Sequence, residues 1–163
     1  PGFLGNIFNA MESIRKGLMY RERNELLGTI IPISIDMKDK NPKFVFIDIN
    51  NLVLDIDESQ TAIYLTILQV GGMKAKELID FENQILQNYA MVKKEPTWDL
   101  VNQVKEWVNP FNCKLFTEKV SKINKRLKDL LGESFSKKYQ IVNEKGTYKI
   151  KLPKNKVIIH LES

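Results

Sequence analysis

"TEKVSKINKRLKDLLGESFSKKYQIVNEKGTYKIKL", residues 117–152, passes from a helical period to a strand period within a few residues. Val120, Ile123, Leu127, Leu130 and Leu131 recur at steps of three, four, three and one, a narrow apolar stripe that predicts a helix buried along one side. Thr117 is the expected cap ahead of it and Gly132 the expected stop. Five basic side chains ride on this helix: Lys119, Lys122, Lys125, Arg126 and Lys128. At about 100° per residue, Lys122 and Lys125 point away from the stripe, while Lys119 and Arg126 flank it on one side. Asn124 falls nearer the stripe, where packing or capping is expected of it. Roughly 15 residues at ~1.5 Å rise give about 22 Å, enough to lie in a major groove about 12 Å wide. Tyr139–Val142 and Thr147–Leu152 then alternate as strands around "NEKG", whose Gly146 suits a positive φ. Lys145, Lys149 and Lys151 lie near the tip of that ribbon. "KVIIHL" (156–161) predicts a third strand, so that a wing spans 139–161.

The charge pattern agrees with an anionic partner at this end. Residues 1–110 hold 12 Lys/Arg and 15 Asp/Glu, a net of −3, whereas residues 111–163 hold 13 and 5, a net of +8. A lysine-rich but merely solvated surface is the competing explanation. With 163 residues, 43% hydrophobic and 28% charged, the chain can build one domain with a real core. The lone Cys113 excludes an intrachain disulfide and fits a reducing, cytoplasmic setting. Cys113 and His160 together cannot furnish a Cys/His zinc site. No apolar run approaches the ~20 residues of a membrane helix, so no membrane partner is expected. A start at Pro1 suggests a segment trimmed from a longer chain.

Outward from the basic helix, the remaining segments complete an α+β plan. Residues 6–27 read as an amphipathic helix (domain 1–28) through Ile7, Phe8, Met11, Ile14 and Leu18, able to pack on the body, to dimerise or to meet a protein partner. "TIIPISI", "KFVFIDI" and "NLVLDI" within 29–56 predict a small antiparallel sheet of two or three strands, with Pro32 placing the first at an edge. A helical core over 57–131 follows. It opens with a helix capped by Asp57 or Ser59 and stopped at Gly71-Gly72. A helix over about 74–90 has Leu78, Ile79, Phe81, Ile85, Leu86 and Tyr89 as its apolar face. Another, capped by Thr97, has Trp98, Val101, Val104, Trp107 and Val108 as its stripe and ends at Asn109-Pro110.

Residues 117–152 resemble the end of the winged helix-turn-helix effector domains of response-regulator transcription factors, where a basic recognition helix runs into a hairpin ending in a glycine-aromatic pair. Gly146-Thr147-Tyr148 nearly reproduces that pair. The order of elements is similar over roughly residues 43–153. "AIYLTILQVGGMKAKELIDFENQILQNYAMV" and "WVNPFNCKLFTEKVSKINKRL" look like a group of uncharacterised bacterial winged-helix-like proteins. The resemblance implies a winged-helix-like domain over 29–163, with a small N-terminal antiparallel sheet, a helical core and a C-terminal β-hairpin wing. One departure is plain: about 44 residues (73–116) separate the glycine pair from the basic helix, against the short turn of a compact helix-turn-helix.

For function, two expectations stand. In the first, the chain is a bacterial DNA-binding protein of the transcription-regulator kind. It contacts duplex DNA through the basic helix 117–131 and the hairpin 139–152, using Lys119, Lys122, Lys125, Arg126, Lys145, Lys149 and Lys151. Lysines supply salt-sensitive phosphate contacts, and Arg126 suits bidentate guanine recognition. In the second, it is a protein–protein interaction or scaffold module with the same shape and no DNA role. Neither expectation involves a cofactor, a metal or catalysis. "DMKDKNPKF" lacks calcium-loop spacing, Gly71-Gly72 lacks a phosphate-loop frame, and His160 has no neighbouring acid or nucleophile in sequence. Asp36, Asp39, Asp48, Asp55 and Asp57 read as solvated loop acids or caps, Cys113 as packing, and His160 as half-buried. Trp98 and Trp107 read as core.

Overall fold

Strand-period segments at both ends of the unit Ile31–Ser163 meet in one sheet, and the helices lie between them in sequence. The computed structural model describes residues 30–160, so the helix expected at 6–27, with any partner it holds, lies outside the described residues. The described part is a mixed α+β structure with five helices and two small sheets, one of which contains the C-terminal strand pair.

The first sheet begins as the alternating pattern requires. β1 (Ile33–Asp36), β2 (Lys43–Phe46) and β3 (Leu52–Val53) form an antiparallel meander. Asn50 and Asn51 turn the chain between β2 and β3 at φ 51° and 54°, a left-handed conformation that asparagine tolerates better than most side chains. The terminal strand does not extend the wing. It crosses the molecule as β7 (Val157–His160) and pairs parallel to β1, Ile33 opposite Val157 and Asp36 opposite His160. β1 is therefore an interior strand, and Pro32 stands one residue before it, where no ladder donor is lost. His160 is exposed on this strand, not half-buried.

The second sheet forms without β7. β5 (Ile141–Glu144) and β6 (Thr147–Ile150) form the expected hairpin, and β4 (Met73–Lys74) pairs with the other side of β6. With both edges of β6 taken, Pro153 and the 3₁₀ turn Lys154–Lys156 lead the chain away. The glycine pair serves this join. Gly71 ends the preceding helix at φ 86°, and a Cβ on Gly72 would lie 3.2 Å from Thr147 Cγ2 of β6. Because Met73 and Lys74 belong to the sheet, no helix can start at 74. Residues Ala75–Phe81 form 3₁₀ turns interrupted at Glu77, and α2 occupies only Glu82–Lys93. Ile79, expected on the apolar face, is 53% exposed for that reason.

α1 (Glu58–Val70) is the centre of the unit. A capping box sets its start: Gln60 N–H donates to Asp57 Oδ1 (2.8 Å) and Asp57 N–H donates to Gln60 Oε1 (3.1 Å). Residues 59–67 are all buried, which an amphipathic helix could not be. Its polar side chains therefore bond inward: Thr61 to the Asp57 carbonyl, Thr66 to the Ala62 carbonyl, and Asn88 of α2 to both Thr66 and Gln69. α3 (Thr97–Trp107) buries Leu100, Val104 and Trp107, at steps of four and three. Trp98 lies 200° around the helix from Leu100 and is 77% exposed, correcting its expected place in the core. Pro96 occupies the cap position expected of Thr97.

Sheet, central helix and hairpin converge on Tyr139. Its hydroxyl accepts from Ile31 N–H (2.8 Å) and donates to the Ile31 carbonyl (2.7 Å), while its own carbonyl accepts from the Tyr64 hydroxyl (2.7 Å). Phe46 of β2 meets the Tyr139 ring edge-on at 5.1 Å, and Phe44 meets Tyr64 at 4.9 Å. Tyr139→Phe strands two backbone groups of the buried Ile31 and should cost roughly 2–4 kcal/mol in urea unfolding. Burial also pushes the Tyr139 hydroxyl from its ordinary 10.0 up to about 12, against the lowering bond to Ile31. A raised folded-state value means that this contribution is complete below pH 10 and is lost between about pH 10 and 12. The wild type should lose stability across that window more steeply than Tyr139→Phe.

Candidate nucleic-acid interface

The basic helix forms as the sequence pattern requires, but starts earlier. α4 spans Lys114–Leu131, about 27 Å at 1.5 Å per residue. Thr117 lies inside its first turn, donating to the Cys113 carbonyl at 3.0 Å. Cys113 is the N-cap residue and makes no side-chain cap bond, while Asn112 Oδ1 accepts from Lys114 N–H at 3.2 Å. Phe116, Val120, Ile123, Leu127 and Leu131 are buried and Leu130 is half-buried, so the predicted stripe, apart from Leu130, is the packed side. Cys113 is exposed, correcting its expected place in packing.

Asn124 fixes this helix to the hairpin. Its Nδ2 donates to the Ile141 carbonyl and its Oδ1 accepts from Ile141 N–H, both at 2.8 Å. The amide so continues the ladder at the first residue of β5, and its edge is not available to a base. The short helix α5 (Glu133–Ser136) turns the chain after Gly132.

The seven expected contact residues separate into two groups. Lys122, Lys125 and Arg126 are exposed on the outer side of α4, and Lys145 is exposed at the hairpin tip at φ 53°. No ion pair within 4.0 Å holds these four among the described residues, not even with Glu118 or Asp129 one turn away on the same helix. The other three are engaged. Lys119 Nζ donates to Ser59 Oγ (3.0 Å) and lies 4.8 Å from the centre of the Trp107 ring. Burial pushes its pKa below the ordinary lysine value, reinforced by Lys122 and opposed by Asp57 and Glu118. Lys149 and Lys151 both reach Glu144, at 3.0 and 3.2 Å, and their hydrogen bonds hold that carboxyl below its usual range.

A feature that sequence order conceals is the acid wall opposite α4. Asp55, Ile56, Asp57 and Gln60 face Lys122, Lys125, Arg126 and Asp129 across a cleft of about 560 Å³. The sequence signal was present in "LDIDE", where Asp57 is indeed a cap. That the same acids confront the basic helix follows only from packing α4 beside the start of α1. Among the described residues no group of His, Cys, Asp or Glu has the arrangement to hold a metal, and no helix is long and apolar enough to cross a membrane.

Comparisons of the chain with protein-family models, with curated proteins and with solved structures find no match.

The Asn124 clamp has a measurable consequence. Asn124→Ala leaves both backbone groups of the buried Ile141 unbonded and should cost about 2–4 kcal/mol. Hydrogen exchange should then speed up at Ile141 and along the hairpin more than within α1. Equal acceleration in both would show that the clamp has no local role.

Proposed function

We propose that residues 29–163 are a winged-helix-like domain that binds duplex DNA, as a regulator of transcription would. Its order of elements supports this: a central helix, a short strand, further helices, a basic helix and a hairpin whose second strand pairs with that short strand. The observation that carries the proposal is the free outer side of α4. Lys122, Lys125 and Arg126 stand there without ion-pair partners among the described residues, on a helix pinned to the hairpin by Asn124. Arg126 is the group suited to a bidentate base contact, while Lys122, Lys125 and Lys145 serve phosphates. Lys119, Lys149 and Lys151 are assigned structural roles, because leaving their present partners would cost packing or charge.

A second reading has its own support. The carboxylates of Asp55, Asp57 and Asp129 in the cleft, and Glu144 on the hairpin, reduce the positive field that a polyanion would meet. A nearly neutral surface of this kind suits a protein–protein interaction module.

Salt dependence separates the two. Binding to a random-sequence duplex, followed by fluorescence anisotropy between 50 and 200 mM salt, should weaken steeply, with a log–log slope of about −0.9 per phosphate contact. Lys122→Glu with Lys125→Glu should lower affinity about tenfold or more and reduce the slope by about two. A folded double variant with unchanged affinity and slope would leave the interaction module as the better account.

A further inference from the structure

We infer that the cleft between α4 and the 55–60 segment is a binding site for a small zwitterion of the peptide type, with a carboxylate at one end and an ammonium group at the other. The charges in it are sorted by wall. Three cations and one carboxylate stand on α4, and two carboxylates stand on the segment leading into α1. The walls thus carry net charges of opposite sign, and the cleft as a whole is neutral. No ion pair within 4.0 Å closes it, so each charged group retains bonding capacity. The cleft is open to solvent, polar in its lining and about 560 Å³ in volume, room for a small polar molecule.

Gln60 is the second, independent observation. It is 7% exposed and lines the cleft. Its Oε1 is held by Asp57 N–H, which fixes the orientation of the amide, and its Nε2 has no protein partner among the described residues. An amide donor oriented by a backbone bond, open to solvent and bonded to no protein group suits a ligand oxygen. Arg126 offers the fork that matches a carboxylate, with Lys122 and Lys125 beside it. Asp55 and the second oxygen of Asp57, whose first is engaged by Gln60 and Ser59, face the ammonium end. Occupancy consumes the same cations that the DNA reading uses, so a bound zwitterion competes with a duplex. The site itself does not depend on that reading.

The test titrates the full chain calorimetrically with triglycine and with two blocked forms, N-acetyl-triglycine (anion only) and triglycinamide (cation only). Saturable binding of triglycine is expected, at least tenfold weaker for each blocked form, as the loss of one charge-assisted hydrogen bond implies. Asp55→Asn and Arg126→Gln should each weaken triglycine by a similar factor, and Lys128→Gln, outside the cleft, should leave it unchanged. Because these substitutions are on exposed side chains, circular dichroism of each variant checks that folding is retained. No saturable binding of triglycine, or N-acetyl-triglycine binding as tightly as triglycine, would overturn the inference. A duplex titration of the same samples is a separate arm: zwitterion binding without duplex binding refutes the DNA reading alone, and duplex binding without zwitterion binding refutes this site alone.

Discussion

The bonds around Tyr139 hold the described unit together. A single side chain ties the residue that leads into the first sheet to the segment that leads into the hairpin, across 108 positions of sequence. The Tyr64 hydroxyl brings the central helix to the same place. Each of these groups is buried, so each bond also removes the penalty of an unpaired polar group. The parallel pairing of β7 with β1 completes the closure, because it returns the end of the chain to the sheet where the unit begins.

What this closure does for the candidate site is orient it. α1 is packed on all sides, α4 crosses near its start, and Lys119 reaches Ser59 while lying over Trp107. Lys119 of α4 therefore joins three helices, α4, α1 and α3, leaving the outer cations free. Asn124 then transmits the position of α4 to the hairpin, so that helix and ribbon form one connected surface element. The exposed cations of α4 are thus carried on packed elements, which would reduce the ordering cost of any ligand they met.

Electrostatics decides between the proposed partners more than shape does. Four of the seven predicted cations remain without ion pairs among the described residues, and carboxylates share their cleft. A polyanion gains from those cations through counterion release but meets the carboxylates on approach. A zwitterion meets both signs favourably. Both outcomes arise from the same sorting of charge between the wall of α4 and the wall of residues 55–60.

The sequence by itself determined the local elements wherever periodicity and capping acted within a few residues. The stripe Val120–Ile123–Leu127–Leu131, the stop at Gly132, the cap at Asp57 and the turn at Lys145-Gly146 all follow from steric and hydrogen-bonding rules that need no distant contact. Tertiary structure decided the rest. β7 left the hairpin and joined β1, more than 120 residues away in sequence, and the helix expected from 74 was cut short because Met73 and Lys74 were drawn into the hairpin's sheet. Trp98 turned outward because the packed face of α3 was set by Leu100, Val104 and Trp107. At the site, sequence could list the cations but not their partners. Ser59 and Trp107 reach Lys119, and Asp55 and Asp57 face α4, only after residues far apart in the chain have been packed side by side.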